Sequence, residues 1–420
     1  MHDRRGFLRR MGAGAALAAF ADTRSAVAER LESLSSAMRA GEPFERLAAE
    51  YMLSPDVLYL NHASIGTIPR VVHAARMRYL EICETNPHLY IWGGAWNEAR
   101  ESVRARAALM LHCLPEEVAV THNTTEGFNI LAQGLPLGQG DEVVFSSLNH
   151  GGASACWEHQ AKVRGYTVRR FDFPILDTPS MTAADVVAAH VRAIGERTRV
   201  LVFPHIDNIV GLRHPVREIT RAARARGVRW IAVDGAQSLG MIPVDVAADD
   251  VDFYAASPHK WLQAPKGLGL FYVRQSLQES LRPMWVTAGQ VPPGTARVFE
   301  DYGTRNLPEL LSLGDAIDYQ LALGGNAKME RYRAMWSRFR DAVEASTVLR
   351  WYSPRDWELG ASLFLIGFGE PVSALSDRLQ RSNGVVFRAF HTQGLEGGRI
   401  SPNVQTTDAE IELFLGLLRA

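Results

Sequence analysis

The residues of this 420-residue chain best suited to covalent chemistry are a lysine and an aspartate, each of which follows a short apolar run. Residues 253–256 lead into Ser257-Pro258-His259-Lys260, and residues 230–233 lead into Asp234. A lysine amine can form a Schiff base with a carbonyl compound, and a carboxylate can keep a ring nitrogen protonated. Lys162, Lys266 and Lys328 fall on predicted helices or in a turn, so Lys260 is the one lysine that ends a strand.

A third feature is a helix start that suits a phosphate group. Residues 118–121 run into His122-Asn123-Thr124-Thr125, and a helix is predicted over residues 126–135. Backbone N–H groups and hydroxyls at a helix N-terminus bind phosphate. Pyridoxal 5'-phosphate needs all three features, so the set predicts a site for this cofactor. Each residue taken singly also has a structural interpretation, since strand-end aspartates cap turns and lysines are usually surface residues.

Short apolar runs alternate with helical periodicity through the middle of the chain, and this pattern predicts the elements that position the site. Strands are predicted at residues 118–121, 142–146, 167–171, 199–204, 230–234, 253–256 and 267–273, with helices at 126–135, 153–164, 183–194 and 216–225. The alternation favours an α/β fold with a mostly parallel sheet, of a seven-stranded type, covered by helices on both faces. Ligands bind such sheets outside the carboxyl ends of the strands, where Asn149-His150 and Asp207-Asn208 also fall.

Changes of composition divide the chain into four predicted parts. A stretch rich in Pro, Gly and Thr at 283–308 separates a large domain, 57–308, from a smaller α+β domain, 309–420. The small domain has predicted helices at 309–323, 327–345 and 407–418, and predicted strands at 348–352, 362–368, 385–389 and 398–401. Residues 29–56 form a predicted N-terminal helical segment, and residues 1–28 read as an export signal.

The N-terminus has the composition of a secretory signal. Arg4-Arg5 is followed by Phe7-Leu8, by an apolar run over 11–21, and by the A-x-A sequence Ala26-Val27-Ala28. This order resembles a twin-arginine signal and predicts export to the periplasm by the twin-arginine machinery. The alternative is a basic, frayed N-terminal helix. No other stretch reaches the roughly 18 apolar residues of a membrane span, so no stable membrane insertion is expected.

Overall composition excludes several classes of protein. The chain is 47% hydrophobic and 22% charged, which is typical of a globular enzyme rather than a disordered or fibrous chain. A net charge of -1 gives no reason to expect a nucleic-acid partner. Three cysteines, Cys83, Cys113 and Cys156, lack the spacing of a metal site, and no metal is expected.

Eight motifs make the sequence similar to the class V aminotransferase family of pyridoxal-phosphate enzymes, which includes isopenicillin N epimerases and cysteine desulfurases. They are N-T-T-E-G-F-N at 123–129, G-D-E-V-V at 140–144, N-H at 149–150, D-N-I-V-G at 207–211, D-G-A-Q at 234–237, S-P-H-K at 257–260, G-T-R-N at 303–306 and G-R-I-S at 398–401. The resemblance starts near residue 58 and implies the aspartate aminotransferase-like fold, known as fold type I. The chain most resembles the isopenicillin N epimerase-like branch.

The resemblance implies roles for the residues around the cofactor ring. Lys260 would hold the cofactor as a Schiff base and move the α-proton of the substrate. Asp234 would pair with the pyridine nitrogen, and His150 would stack on the ring. Gln237 would donate to the phenolic oxygen, close to Asn208.

The resemblance also implies contacts to the phosphate and to the substrate. The phosphate residues would be Thr124, Thr125, Ser257, His259 and, reaching the site of a partner subunit, Thr304. That last role implies a homodimer. Arg399 would bind the substrate carboxylate in a bidentate fork, with Asn61 as a second substrate-binding residue.

One departure from the family concerns cysteine desulfurases, which carry a nucleophilic cysteine shortly before the carboxylate-binding arginine. Here residues 388–394 read R-A-F-H-T-Q-G, and no cysteine follows Cys156. The expectation from this departure is an enzyme of the transaminase, epimerase or decarboxylating type that is not a cysteine desulfurase.

Combined with the export signal, the resemblance extends to exported family members that tailor the siderophore pyoverdine. The favoured hypothesis is therefore periplasmic tailoring of the glutamyl side group of a pyoverdine-type siderophore, through an external aldimine with its α-amino acid group. An aminotransferase or epimerase of a free amino acid is the alternative. A binding protein that keeps the fold without turnover is a third hypothesis, from another class.

Overall fold

The computed structural model describes residues 4–92, 94–287, 291 and 294–419, with the side chains of residues 4–17 and Arg419 outside the description. The helices are α1 (Arg4–Arg39), α2 (Arg70–Thr85), α3 (Asn97–Leu111), α4 (Thr124–Gly134), α5 (Gly151–Arg164), α6 (Ala183–Ala193), α7 (Val216–Ala225), α8 (Leu307–Ala322), α9 (Gly325–Glu344), α10 (Val372–Asn383) and α11 (Asp408–Arg419). The strands are β1 (Leu58–Tyr59), β2 (Val118–Thr121), β3 (Glu142–Ser146), β4 (Thr167–Phe171), β5 (Thr198–Pro204), β6 (Trp230–Asp234), β7 (Phe253–Ala256), β8 (Gly269–Val273), β9 (Arg350–Trp351), β10 (Phe364–Gly367), β11 (Val385–Val386), β12 (Arg388–Thr392) and β13 (Leu395–Ile400).

Seven strands form the central sheet in the order β2-β8-β7-β6-β5-β3-β4. Strands β3 to β7 run parallel, and β8 pairs antiparallel with both of its neighbours. The prediction of a mostly parallel, seven-stranded α/β fold is confirmed. Because β3 to β7 point the same way, their carboxyl ends lie along one edge of the sheet, and the residues that follow them can meet there.

Alternate side chains of the central strands enter two separate cores. Val143 and Phe145 of β3 pack in one core with Phe128 of α4 and Trp157 of α5. Val144, between them in sequence, belongs to the other core. Both faces of the sheet are therefore covered, which explains why the strands read as continuous apolar runs rather than as alternating patterns.

The region predicted as the small domain contains a four-stranded antiparallel sheet in the order β12-β13-β10-β9. The single strand predicted at 385–389 is in fact two, β11 and β12, and β13 begins at Leu395, earlier than predicted. The sequence reading also missed α10, whose Val372, Leu375 and Leu379 are buried at helical spacing. This helix ends at Gly384, which has a positive φ of 66° as helix C-terminal glycines commonly do.

Strand β1 connects the beginning of the predicted large domain to the small domain. Leu58 and Tyr59 pair in parallel with Val385 and Val386 of β11. A further bridge joins Asn61 to Ser401, just beyond the end of β13. Residues 58–61, at the start of the predicted large domain of residues 57–308, therefore pair with strands of the predicted small domain. This pairing brings Asn61 close to Arg399.

Helix α1 is longer than the helix predicted near the N-terminus, and it packs on the rest of the chain. Val27 and Leu31 are buried, and Arg24 forms ion pairs with Asp315 and Asp318 of α8. The predicted A-x-A site lies within this helix. The side chains of Arg4 and Arg5 are outside the described residues, so the twin-arginine signal stays a prediction. In the described part of the chain, no helix combines the length and apolar character needed to cross a membrane.

Candidate active site

A cavity of about 530 Å³ opens at the carboxyl edge of the central sheet. Residues following β3, β5, β6 and β7 line it, together with the starts of α4 and α5 and one side of the small-domain sheet. Most of the predicted site residues are among its lining: Thr124, Thr125, His150, Asn208, Asp234, Gln237, Ser257, His259, Lys260 and Arg399. The strand ends thus bring together the groups that the motifs predicted. We call the part formed by Lys260, Asp234, His150 and the phosphate residues the cofactor end, and the part around Arg399 the substrate end.

Lys260 is held by a tight turn after β7. The backbone N–H of Lys260 donates to the carbonyl of Ser257 at 3.3 Å. The carbonyl of His259, the preceding residue, accepts from Gly66 N–H at 2.8 Å. A Cβ atom on Gly66 would lie 2.2 Å from the Lys260 carbonyl oxygen, so this close approach requires glycine. Burial lowers the pKa of the Lys260 amine to about 8. An amine with this pKa is partly neutral near pH 7 and can act as a nucleophile or base.

Asp234 ends β6 with its carboxylate turned into the site. It is 5% exposed, and its Oδ1 accepts from Ala236 N–H at 2.9 Å. Burial raises the pKa of this carboxyl, which means that its negative charge lacks full compensation. A protonated ring nitrogen would supply the missing positive charge, and the residue therefore fits the predicted role.

His150 precedes α5 and lines the same cavity. Its Nδ1 accepts from Gly152 N–H at 3.1 Å, which places the proton of a neutral imidazole on Nε2. Burial lowers the pKa of His150, so the neutral ring is the favoured form. A neutral aromatic ring in this position is compatible with stacking on a cofactor ring.

Helix α4 begins at the cofactor end, and its first turn is organised by neighbouring side chains. Asn123 caps the helix by accepting from Glu126 N–H at 3.0 Å. Thr124 donates its backbone N–H to Ser257 Oγ at 3.0 Å, and the two hydroxyl oxygens lie 2.8 Å apart. These contacts join the start of α4 to the turn that carries Lys260.

A second helix start, that of α5, lies close to the first. A Cβ atom on Gly152 of α5 would lie 2.5 Å from Thr125 Oγ1. The Nδ1 atom of His259 is buried without a hydrogen-bond partner among the described residues, and burial lowers the pKa of this imidazole to about 4. Two helix N-termini, several hydroxyls and a buried, unpaired imidazole nitrogen provide the donors and the space that a phosphate group needs. The residues of the cofactor end therefore fit pyridoxal phosphate.

The side-chain amide of Gln237 already forms two hydrogen bonds to neighbouring groups. Its Nε2 donates to the carbonyl of Ala63 at 2.9 Å, and its Oε1 accepts from Trp261 Nε1 at 2.8 Å. These contacts fix the amide orientation and leave one N–H of Nε2 for a ligand. Donation to a phenolic oxygen, as predicted, remains compatible with this arrangement.

Arg399 is a buried cation surrounded by neutral acceptors. It is 3% exposed, and its guanidinium donates to the carbonyl oxygen of Asn208 at 2.8 Å, to Asn61 Oδ1 at 3.1 Å and to Ser64 Oγ at 2.5 Å. Burial lowers its pKa to about 9, and its Nε has no hydrogen-bond partner among the described residues. A substrate carboxylate would both neutralise and hydrogen-bond this group. Asn61 therefore contacts the predicted carboxylate-binding arginine directly.

Asp207 holds the loop of the D-N-I-V-G motif in its conformation, a role that was not predicted from the sequence. It is fully buried and accepts from the backbone N–H groups of Ile209, Val210 and Leu212 at 2.6–2.9 Å. These bonds close a loop that presents the Asn208 carbonyl to Arg399. Burial raises the pKa of Asp207 to about 6, although the three donors act in the opposite direction.

Thr304 lies apart from the other predicted site residues. It is exposed and lines a different cavity, of about 300 Å³, together with Trp92 and Arg305. Its predicted contact, with the phosphate of a partner subunit, stays a prediction. Ser64, Arg388 and Phe390 also line the main cavity but were not predicted. A serine near Asn61 carries no signal in the sequence, and the other two depend on how β12 pairs with β13.

The fold and the cavity together define a fold type I pyridoxal-phosphate enzyme. The family model of Aminotransferase class-V matches residues 58–403. The chain belongs to this family, and its cofactor is pyridoxal phosphate.

Named relatives of two kinds match this chain. An isopenicillin N epimerase of Amycolatopsis lactamdurans is 33% identical over 314 residues, which cover 69% of this chain and 76% of the relative. A cysteine desulfurase of Dickeya dadantii is 30% identical over 335 residues, which cover 74% of this chain and 79% of the relative. The first group agrees with the predicted isopenicillin N epimerase-like branch.

Solved structures confirm the fold. The apo structure of a cysteine desulfurase from Thermococcus onnurineus NA1 superimposes with a TM-score of 0.76 at 22% identity, covering 89% of this chain and 96% of that one. A mutant of C-DES with glycine covalently linked to the PLP cofactor gives a TM-score of 0.78 at 22% identity, covering 87% and 96%.

The prediction that this enzyme is not a cysteine desulfurase is wrong. Cysteine desulfurases are among its relatives across three quarters of the chain, and they are among the structures that share its fold. The exclusion rested on one segment, residues 388–394, which here forms β12 and the turn that leads to β13. The lack of a cysteine in one segment is too local a difference to separate this chain from relatives that share the sheet and the cofactor end.

Proposed function

We propose that this enzyme uses pyridoxal phosphate to labilise the α-proton of an amino acid, in a transamination or an epimerisation. A single observation supports the proposal most strongly: one cavity holds a lysine of lowered pKa, a buried carboxylate and a buried arginine that forms no ion pair with a described residue. These groups match the amine, the ring nitrogen and the substrate carboxylate that such a reaction involves.

When bound, the cofactor supplies a conjugated ring that accepts the electron pair released at the substrate α-carbon. Arg399 binds the substrate carboxylate, while Asn61, Ser64 and the Asn208 carbonyl fix its guanidinium. Asp234 keeps a proton on the ring nitrogen. Lys260 takes the proton from the α-carbon. Return of a proton to the opposite face of the α-carbon would give epimerisation. In a transamination, no proton returns to the α-carbon, and a 2-oxo acid is released.

The test is exchange of the α-proton in deuterated water. The holoenzyme is incubated with L-alanine, L-glutamate, L-glutamine and L-cysteine, and NMR follows the loss of the α-proton signal. Assays for 2-oxo acid, D-isomer and sulfide then identify the product. We expect exchange with at least one amino acid and none with Lys260→Ala. A cofactor absorption band that disappears in Lys260→Ala, together with no exchange and no spectral change for any amine, would instead support the binding-protein hypothesis.

We also propose that the active form is a homodimer in which Thr304 reaches the partner's phosphate. The cavity around Thr304 includes Trp92, which is 71% exposed, and Ile91, which is half-buried. Large apolar side chains exposed at one place are typical of an interface. Light scattering of the purified enzyme tests the dimer. A monomer with full cofactor affinity would contradict the role of Thr304.

A more specific version of the proposal adds export by the twin-arginine pathway and the glutamyl side group of a pyoverdine-type siderophore as substrate. The order of arginines, apolar run and A-x-A sequence at the N-terminus supports the export. Cell fractionation tests the compartment, and incubation with the siderophore precursor, followed by product mass, tests the substrate. Turnover of free amino acids only, with no change in the precursor, would leave the free amino-acid reaction as the function.

A further inference from the structure

Two arginines of the substrate end lie directly opposite each other on neighbouring strands. Arg388 of β12 pairs in register with Arg399 of β13. Like charges placed opposite each other in an antiparallel pair destabilise the sheet. The repulsion between these two positive charges therefore has to be offset by another group.

The described part of the chain provides little compensation. Arg388 is exposed, and its guanidinium forms neither an ion pair nor a hydrogen bond with any described residue. Its guanidinium carbon lies 5.6 Å from the centroid of the Phe390 ring, and that of Arg399 lies 5.3 Å from the same centroid. One aromatic ring thus lies against both cations, and a cation–π contact does not neutralise either charge.

The charges that line the cavity are also unequal. Lys260, Arg388 and Arg399 carry positive charge, and Asp234 is the only carboxylate among the described lining residues. The buried Asp207 carboxyl, which is not part of the lining, also acts on Arg399 but not through an ion pair. The donors for the cofactor phosphate belong to the cofactor end. One substrate carboxylate would neutralise Arg399, and Arg388 would still lack an anion.

The strand that carries Arg388 is fixed relative to the large domain. The hairpin turns at Gln393 and Gly394, whose φ values of 50° and 80° suit a two-residue turn between antiparallel strands. Ser147 Oγ donates to Gln393 Oε1 at 2.6 Å, and Gln393 Nε2 donates to the Ser147 carbonyl at 3.1 Å. Arg388 therefore starts a strand whose far end is attached beside the loop that leads to His150.

We propose that Arg388 binds a second anionic group of the substrate, so that the site prefers α-amino acids with a carboxylate on the side chain. The inference rests on the proposed function for the role of Arg399. Arg399 takes the α-carboxylate, the apolar ring of Phe390 contacts the carbon chain, and Arg388 takes the side-chain carboxylate. The alternative, in which both arginines share one carboxylate, is an outcome of the test.

The first experiment measures binding without catalysis. Calorimetry compares glutarate, which has two carboxylates, with butyrate, which has one, on the holoenzyme. A charge-assisted pair predicts that glutarate binds at least about tenfold more tightly. In Arg388→Gln the preference should fall towards one, and in Arg388→Lys part of it should return. The matched control is Arg381→Gln, an exposed arginine of α10, in which the preference should be unchanged.

The second experiment uses substrates. The KM for L-glutamate should be at least about tenfold lower than that for L-glutamine in the native enzyme, and this ratio should collapse in Arg388→Gln. Equal affinity for glutarate and butyrate in the native enzyme would overturn the inference. Equal weakening of both ligands by Arg388→Gln would also overturn it, because it would assign Arg388 to the α-carboxylate. Glutarate preference without any α-proton exchange would support the inference and contradict the proposed function, so the two failures are distinguishable.

Discussion

The cofactor end and the substrate end of the cavity are built in different ways. The cofactor end uses residues that follow strands of one sheet, such as Thr124 after β2 and Ser257 after β7. The substrate end joins segments that belong to three different sheets: Asn61 and Ser64 after β1, Asn208 after β5, and Arg399 on β13. Parallel strands place the first set at one edge without further adjustment, whereas the second set depends on how the small domain packs on the large one.

The two ends also differ in how well their positive charges are balanced by carboxylates. At the cofactor end, one lysine faces one carboxylate, and each raises the other's tendency to be charged. At the substrate end, two arginines face no carboxylate at contact distance among the described residues. The cofactor end is therefore close to balanced before a substrate arrives, whereas the substrate end requires an anion. This difference suits a site that keeps its cofactor and exchanges its substrate.

The largest effect is expected from removal of the Schiff-base lysine. Lys260→Ala should lower the rate of α-proton exchange by at least about 10³-fold, because it removes both the covalent attachment and the base. NMR exchange rates and the absorption spectrum of the bound cofactor measure this loss. Lys162→Ala, which changes an exposed lysine of α5, is the control and should keep the native rate. Exchange at the native rate in Lys260→Ala would assign the chemistry to another group.

The next effect belongs to the substrate end alone. Arg399→Lys should raise the KM for amino acids by about ten- to a hundredfold, because a lysine ammonium cannot contact Asn61, Ser64 and the Asn208 carbonyl while also binding a carboxylate. Cofactor affinity should stay unchanged, since Arg399 donates to none of the cofactor-end residues. Kinetics and a cofactor titration measure the two quantities. Loss of cofactor in this variant would show that the two ends are not separate.

The same difference explains what the sequence could predict. At the cofactor end, Asp234 and Lys260 stand immediately after runs that read as strands, so their convergence follows from the parallel sheet alone. The phosphate residues at the start of α4 were predictable for the same reason. Polar residues at strand ends are therefore informative even before any resemblance to a family is considered.

At the substrate end, prediction depended on the resemblance. The G-R-I-S motif indicated Arg399, but nothing in the sequence placed Arg388 opposite it. The hairpin between β12 and β13 turns at Gln393-Gly394, and glutamine is a weak signal at a position of positive φ, where Asn or Asp is usual. Without that turn the register of the two strands could not be derived. Ser64 was missed because the pairing of β1 with β11, which brings it near Arg399, joins distant parts of the chain.

The smallest expected effect concerns the residue that connects the two ends. Gly66 follows the segment that contains Asn61 and Ser64, and it packs against the turn of Lys260. In Gly66→Ala the new Cβ would lie 2.2 Å from the Lys260 carbonyl oxygen and 2.7 Å from that of His259, so the two segments must separate. Overpacking of this kind costs about 1–3 kcal/mol. Thermal unfolding of the holoenzyme should show the loss, and Gly138→Ala, where no atom lies within 4 Å of the added Cβ, is the matched control.

The pattern of functional losses in Gly66→Ala then tests whether the two ends are mechanically independent. A shift of the Lys260 turn alone would weaken cofactor binding and leave the KM for amino acids unchanged. A shift of residues 61–64 would also move Asn61 and Ser64 away from Arg399 and raise that KM. We expect both changes, because the backbone N–H of Gly66 donates to the His259 carbonyl at 2.8 Å and so transmits movement in either direction. An unchanged KM together with weakened cofactor binding would show that the substrate end is held by β1 and β11 rather than by the lysine turn.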